Sequence, residues 1–522
     1  MCGLRMFVCA LPAPPALTME QQAVFSALAK GHSCFITGYA GSGKTHVVRA
    51  FFSYMMHRYP HRNHTFFYCG MTGSISSNMD GFGQTLHHAF GLPVECHVGG
   101  AELHPSKWIE IISKKSRARA NFCNCKLLVI EECSFLKKSQ LRNFLSVAKH
   151  FRPHEAHLPF SGIQIIMVGD YLQLLTYYRF DLPFYDYAYS GTNELNIVKD
   201  GRGERLISEP WRYLTVFMLR DVHRHSGDLL RACNNLRTGG ANSMQLDRKE
   251  WQWTVEYLES LSADKQWSDK LVKPSCLYAL REEAEKHNAD ELRSLPGAVR
   301  EFVSRDTLYD GMTVAEMSEL TNLPAIFRAK VGMPIIFLAN DAVHFLVNGS
   351  QGTVVDFKLK SEYPSSSCIG YFYEIDKEYP LVRFASSTCF LIGSVSYRAE
   401  PIFTARPNIS NRDQLPLVAA WAITLHKSQG MSIDNLIVNV SSLTGGRSHR
   451  GWCGVVYTAI SRAKTADSLQ ILNFKREQIT KQASKEGHCD DAATYYREVV
   501  DPDPRRTSRF TNYPKLRSRP PY

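Results

Sequence analysis

Gly38-Tyr39-Ala40-Gly41-Ser42-Gly43-Lys44-Thr45 has the composition and spacing of a loop that wraps the phosphates of a nucleoside triphosphate. Phe35-Ile36-Thr37 in front predicts a buried strand, and Val47 to Met56 behind predicts a helix. That strand–loop–helix setting is what such a loop needs. Its glycines let backbone N–H groups close around an anion, and the helix N-terminus adds its dipole. Lys44 can reach β- and γ-oxygens, and the Thr45 hydroxyl is placed for Mg²⁺. Gly38, Gly41, Ser42, Gly43, Lys44 and Thr45 are therefore candidate ATP-binding residues. The bland alternative is a glycine-rich turn that binds nothing; the Gly-Lys-Thr ending and the flanks speak against it.

Triphosphate hydrolysis also needs carboxylates, to hold the metal and to activate water. Leu127-Leu128-Val129-Ile130-Glu131-Glu132 supplies an apolar strand ending in two. Glu131 is assigned to the metal, directly or through water, and Glu132 to the attacking water. Standing alone, the pair would be a solvated strand end. A second strand, Gln164–Val168, leads into Gly169-Asp170-Tyr171-Leu172-Gln173-Leu174, where Gln173 can sense the terminal phosphate. Two arginines complete the set: Arg224, after Leu219-Arg220-Asp221-Val222-His223, and Arg462, in Tyr457-Thr458-Ala459-Ile460-Ser461-Arg462-Ala463-Lys464. A lone arginine is usually a surface residue. One that reaches a phosphoryl transition state is worth about 10³–10⁵ in rate.

Two sets of apolar runs must position these groups. Cys34–Thr37, Thr65–Tyr68, Leu127–Ile130 and Ile163–Val168 form the first; Ser275–Leu280, Pro334–Leu338, Leu436–Val440 and Leu469–Leu472 form the second. Their alternation with helical stretches predicts α/β lobes built on parallel sheets. Phe217 to Gly239 reads as a junction with an amphipathic helix carrying Leu229, Leu230, Cys233 and Leu236. From Gly352 to Pro401 the pattern changes to short strands (Thr353–Phe357, Tyr371–Ile375, Leu381–Phe384, Cys389–Ile392), the signature of a small β-unit inserted in the second lobe.

A chain of 522 residues exceeds one ordinary core, and 44% apolar content is enough to bury several. The net charge of +11 favours a polyanionic partner. The segment Asp501 to Tyr522 carries six Lys/Arg against two Asp and reads as a disordered basic arm or a solubilising tail. The fourteen cysteines are scattered, several within apolar runs (Cys34, Cys69, Cys133), which suits reduced buried thiols better than a disulfide framework. Cys123 and Cys125 lack a second pair for zinc, and His57, His61 and His64 read as a surface loop. No apolar run is long enough to span a bilayer, and Pro12, Pro14 and Pro15 break the short apolar stretch near the start, so neither a membrane anchor nor a signal peptide is expected.

Thr424-Leu425-His426-Lys427-Ser428-Gln429-Gly430-Met431-Ser432-Ile433-Asp434, preceded by Ala419-Ala420-Trp421-Ala422, resembles motif V of superfamily-one DNA helicases, and more closely the petite-integration-frequency (PIF) family, relatives of RecD. Other matches follow in order. Leu17-Thr18-Met19-Glu20-Gln21 resembles the adenine-reading Q motif, with Gln21 a further ATP-binding candidate. Thr72-Gly73 and Gly83 to His87 resemble motif Ia; Leu158 to Gln164, the run before motif III; Leu141 to Arg152, the family's signature helix. Leu236-Arg237-Thr238-Gly239 and Val347 to Gly352 also fit, so the resemblance covers Leu17 to Lys464. Three departures mark a divergent branch, such as a viral or mobile-element member: Glu131 in place of Asp, His225 in place of Gln, and Leu175-Thr176 in place of two prolines.

The resemblance implies an α/β fold of two RecA-like P-loop lobes with a small β-barrel inserted in the second. Residues 1–215 would form the first lobe, 216–347 the junction and start of the second, 348–405 the barrel, 406–480 the rest of the second lobe, and 481–522 a C-terminal extension. It implies a Mg²⁺- and ATP-dependent DNA helicase, a monomer on DNA that moves 5′→3′ on single-stranded or forked DNA in replication, repair or recombination. Thr72, His87, Thr424, His426 and Ser428 are the candidate DNA contacts, because hydroxyls and imidazoles can hydrogen-bond phosphates without reading sequence. A nuclear location (the host nucleus for a viral protein) is expected, with the mitochondrion the alternative. The rival readings are an ATP-regulated single-stranded-DNA scaffold with little unwinding, a phosphate-loop kinase or GTPase, and an RNA helicase. The second of these leaves Thr424–Gly430 and Tyr457–Lys464 unexplained.

Overall fold

The structure is a computed structural model that describes residues 17–71, 83–93, 97–98, 101–102, 104–173, 213–239, 248–267, 272–309, 312–321, 323–339, 341, 343–344, 346, 348–384, 387–398, 410–444 and 452–474. The first lobe runs through helix α1 (Met19–Ala29), strand β1 (Cys34–Gly38), α2 (Lys44–Arg58), β2 (Phe66–Gly70), β3 (Gly83–Thr85), β4 (Leu127–Glu131), α3 (Lys138–Phe151), β5 (Gln164–Val168) and β6 (Thr215–Leu219). Its sheet has the order β3-β2-β4-β5-β1-β6, and every pairing is parallel. The residues of β1, β2, β4 and β5 are buried on both faces, as a helix-covered parallel sheet requires. Alternate residues feed separate apolar clusters: Leu128 and Ile130 enter one, Leu127 and Val129 the other.

Register puts the chemistry at one edge. Gly70 pairs with Glu131, Glu131 with Val168, and Ile36 with Val168, so the carboxyl ends of β1, β4 and β5 lie side by side. The phosphate loop, the Glu131-Glu132 pair and the Asp170 turn leave from that edge, where open α/β sheets hold their ligands. The four strands expected from apolar runs are present to within a residue or two. β3 and β6 escape that criterion because β3 has three residues and β6 is half exposed.

The second lobe is a parallel sheet of order β8-β7-β9-β10, formed by β7 (Ser275–Tyr278), β8 (Ala422–Thr424), β9 (Leu436–Asn439) and β10 (Leu469–Leu472). Pro334–Phe337 reads in sequence as a strand of this lobe and is not one. It pairs antiparallel with Gln351–Leu359 and with Leu417–Ala419 in a separate six-stranded sheet. That sheet continues through Glu378–Phe384, Cys389–Ile392 and Cys368–Ile369, and it has its own core reaching from Phe302 to Trp421. Among the described residues its order runs from Cys368–Ile369 to Leu417–Ala419 with no closing pair. The segment Tyr371–Ile375, expected as a strand, makes one bridge, from Tyr371 to Ser394; Tyr371 and Ile375 are exposed, with no neighbouring strand to bury them.

Three of the four apolar residues expected on the face of the junction helix α4 (Gly227–Gly239) are buried, and Leu230 is half-buried. Leu229, Cys233 and Leu236 enter the second-lobe core beside Val456 and Ala459 of α5 (Trp452–Ile460). Near its end, Arg237 turns to the first lobe and forms a fork with Asp170: Nε to Oδ2 and Nη2 to Oδ1, both 3.0 Å. The two side chains are 2% and 0% exposed. Burial alone pushes the Asp170 carboxyl up, and Arg237 more than offsets it, leaving the acid below its ordinary value. Arg237→Met leaves a buried carboxylate unpaired and is expected to lower urea-unfolding stability by about 3–5 kcal/mol, most of it recovered in an Asp170→Asn/Arg237→Met double variant.

Candidate nucleotide and nucleic-acid site

The phosphate loop adopts the backbone its glycines allow: Gly38, Gly41 and Gly43 all have positive φ, and a Cβ on Gly38 would sit 2.1 Å from the Leu219 carbonyl oxygen. Lys44 Nζ donates to the Gly38 and Tyr39 carbonyls at 2.8 and 2.9 Å. Burial lowers its pKa to about 8, opposed by Asp170 and Glu132. Gln21 does not face outward. Its Oε1 accepts from Thr18 N–H, closing the cap of α1, and its Nε2 donates to the Ser42 carbonyl at 3.3 Å. The residue is 3% exposed. In this geometry Gln21 is a brace behind the loop.

Glu131 ends β4 with both oxygens engaged. Tyr68 Oη donates to Oε1 at 2.5 Å, and Thr45 Oγ1 donates to Oε2 at 3.2 Å. Burial pushes this carboxyl up to about 7; Tyr68 and Thr45 pull against that, and Glu132 adds to it. A hydroxyl and a carboxylate oxygen so close together form a hard-oxygen pair that suits Mg²⁺, which takes few protein ligands and keeps phosphate and water for the rest. Among the described residues no group of three or more His, Cys, Asp or Glu gathers into a metal site. Glu132, the next residue, has a left-handed backbone at φ 51°, a conformation unfavourable for any side chain with a Cβ and concentrated at functional sites. Burial raises its pKa, while Lys44 and Arg462 stabilise its charge.

The second lobe and the junction bring in the arginines. Arg462 is 2% exposed; its Nε donates to the Thr458 carbonyl at 2.9 Å and its Nη2 to Ser461 Oγ at 2.9 Å. Arg224 Nη1 donates to the Ser461 carbonyl at 3.0 Å, so the two guanidinium groups share one turn. Burial and then Arg462 push the Arg224 pKa down to about 9. Glu132 is an anion that acts on both. His225, where the resemblance expects Gln, is pushed down to about 4 by burial and by both arginines, and is therefore neutral. Gln173 Nε2 lies 3.4 Å from Asp170 Oδ2, so the candidate phosphate sensor rests on the Asp170–Arg237 pair. Ser42 Oγ, His225 Nδ1 and Thr458 Oγ1 are buried without a hydrogen-bond partner, one on the loop and two beside the arginines. Buried polar atoms are normally paired, and these suit a polar ligand.

The candidate DNA contacts divide. Thr72 lies outside the described residues. His426 is exposed after β8, and its ring lies 6.0 Å from that of Phe135. His87, half-buried, faces Gln140, with Nε2 to Nε2 at 3.2 Å. The segment following Glu132 thus touches one histidine from each lobe. Thr424 is 7% exposed, and its Oγ1 accepts from Lys427 N–H. Ser428 is fully buried, and its Oγ donates to the Leu425 carbonyl at 2.7 Å. Ser428 therefore holds the turn and offers no surface to a ligand, a correction to its expected contact role. Sequence reasoning passed over Tyr68, Asp170, Arg237 and Tyr457; three of these lie inside motifs it had already found, but their partners are distant in sequence.

Residues 16–179 match the PIF1-like helicase family. The ATP-dependent DNA helicase PIF1 of Danio rerio is 26% identical over 484 residues, covering 90% of this chain and 62% of that protein. The ATP-dependent DNA helicase RRM3 of Saccharomyces cerevisiae is 26% identical over 528 residues, covering 89% of this chain and 66% of that one. The crystal structure of the Pif1 helicase from Candida albicans superposes with a TM-score of 0.58 at 26% identity, over 89% of this chain and 96% of that one. Over residues 16–179, and at about a quarter identity over most of its length, the chain is similar to PIF1-like helicases. Unliganded Pif1 from Bacteroides sp shares the fold, with a TM-score of 0.64 at 20% identity over 92% of this chain and 97% of that one. The chain spans about three-fifths of the length of the Danio PIF1 it matches (62%). Glu131 sets a pH test. Its folded carboxyl keeps a proton between 4.5 and about 7 where the unfolded one has lost it, so this group's contribution to stability falls as pH rises through that window. In metal-free buffer, Glu131→Gln is expected to remove that fall, read as the difference between the two proteins' urea midpoints across the range.

Proposed function

We propose that this chain is an ATP-dependent DNA helicase that moves 5′→3′ along single-stranded DNA and unwinds duplex or forked DNA in genome replication, repair or recombination. One observation supports it above the others: Arg224 and Arg462, from the junction and second lobe, share the Ser461 turn and act electrostatically on Glu132 of the first lobe. Hydrolysis there depends on how the lobes sit. The curated relatives are ATP-dependent DNA helicases by name, and Bacteroides Pif1 has been crystallised with ADP-AlF₃ and single-stranded DNA.

In this reading Lys44 binds the β- and γ-phosphates, Gln21 braces the loop, and Glu132 takes the proton of the attacking water. Arg462 and Arg224 neutralise charge that develops on the transferred group. Thr45 and Glu131 are the residues to hold Mg²⁺, which when bound would spread the phosphate charge. Gln173 reports the terminal phosphate through Asp170 and Arg237 to the junction. His426 and His87 contact the DNA backbone, with Thr72 and Thr424 as further candidates. Phe135 and Gln140 carry lobe movement from Glu132 to these histidines. Such a protein acts as a monomer on DNA. The nucleus suits it, with the mitochondrion the alternative.

The test is ATP hydrolysis with and without single-stranded DNA, beside unwinding of duplexes with a 5′ or a 3′ tail. DNA-stimulated hydrolysis with unwinding from the 5′ tail alone is expected. Lys44→Ala should lose nucleotide binding. Glu132→Gln should keep it while losing roughly 10²–10⁴ in hydrolysis rate. Tight DNA binding without DNA-stimulated hydrolysis would replace the motor by a scaffold.

A further inference from the structure

The outer limb of the phosphate loop is held by elements that do not belong to the first lobe's core. The Tyr39 ring lies under the Arg237 guanidinium, with its centroid 4.8 Å away. The Gly41 carbonyl accepts from His223 N–H at 3.0 Å, and a Cβ on Gly41 would sit 2.6 Å from Arg224 Cβ. Between them, Ala40 N–H donates to Tyr457 Oη at 2.8 Å. Tyr457 belongs to α5, is 1% exposed, and packs in the second-lobe core, where Ala40 also packs. Three consecutive loop residues are thus gripped by three elements of the junction and second lobe. Of the three grips, the central one uses a donor of the kind that such a loop offers to phosphate.

We propose that Tyr457 is a positioning residue whose hydroxyl competes with the nucleotide's phosphate for Ala40 N–H, so that filling the phosphate loop releases a bond between the lobes. This rests on the motor reading above. A backbone N–H has one proton and serves one good acceptor at a time. An anionic phosphate oxygen is the stronger acceptor and displaces a neutral phenol. Burial holds the Tyr457 pKa well above the usual tyrosine range, so the group competes as a neutral hydroxyl. Because its ring is embedded among second-lobe side chains, the hydroxyl cannot withdraw alone; the lobe or the loop must shift with it. Lys44, donating to the Gly38 and Tyr39 carbonyls, must likewise exchange those partners for phosphate. Loop occupancy and lobe position then become one equilibrium, which anything that moves the second lobe also biases.

The experiment uses the full chain with Mg²⁺ and a fluorescent, slowly hydrolysed ATP analogue, titrated with and without an oligo(dT) strand. Tyr457→Phe removes the hydroxyl and keeps the ring; Tyr457→Met fills the same core without it. Both are expected to bind the analogue roughly 3- to 10-fold more tightly without DNA, the scale of one lost hydrogen bond. Both should also show a smaller DNA-induced change in affinity than the parent. Analogue affinity and DNA effect unchanged in both variants would overturn the proposal and leave the motor reading intact. Weaker binding with the DNA effect retained would overturn it too, because the hydroxyl would then be a support for the loop. A parent protein that binds no analogue would overturn the motor reading and this inference together.

Discussion

A guanidinium and a carboxylate, both shut away from water, hold the two halves of this protein in register. The Asp170–Arg237 fork joins the turn after β5 to the end of α4, and each partner has a second task. Asp170 supports Gln173, and Arg237 lies over the Tyr39 ring of the phosphate loop. Separating them would strand a charge in a low-dielectric interior. That penalty keeps the junction helix against the first lobe while the apolar face of the same helix stays in the core of the second. Relative movement of the lobes must therefore bend around this point or strain it.

The cleft around Lys44 and Glu132 is electrostatically demanding for the same reason. Lys44, Glu131, Glu132, Arg224 and Arg462 are crowded into an interior where every unpaired charge is costly, and each shifts toward its neutral form unless a neighbour opposes that. Two close arginines, a neutral His225, a carboxyl raised to about 7 and two unpartnered buried hydroxyls, Ser42 and Thr458, leave this cleft with unsatisfied polar groups. Glu131, where the resemblance expects Asp, keeps a carboxylate oxygen beside the Thr45 hydroxyl. The longer side chain reaches Tyr68 and Thr45 together, and the tyrosine bond fixes its rotamer.

From this cleft, physical contact extends to His87 and His426 by a short route. The chain leaves Glu132 in a left-handed turn, packs Phe135 into the second lobe beside His426, and starts α3 with Gln140 against His87. A few residues thus link Glu132 to a histidine of each lobe. Tyr457 makes a second crossing on the nucleotide side, from α5 to Ala40. These contacts place the phosphate loop and the two histidines within one set of packed side chains.

The sequence alone carried the chemistry that is local. The Gly38–Thr45 loop, the apolar run ending in Glu131 and Glu132, and the amphipathic Leu229–Leu236 stretch each encode their structure within a few residues, because glycine torsions, strand burial and helical spacing are short-range properties. Ordered motifs also pointed to the helicase resemblance and the two α/β lobes. Tertiary structure decided everything that depends on partners distant in sequence. It moved Pro334–Phe337 out of the second-lobe sheet, turned Gln21 and Ser428 inward, and paired Asp170 with Arg237 and Ala40 with Tyr457. A hydroxyl or an amide has the same identity in a core as on a surface; which groups surround it, and so whether it holds the fold or meets a ligand, is set only when distant segments pack together.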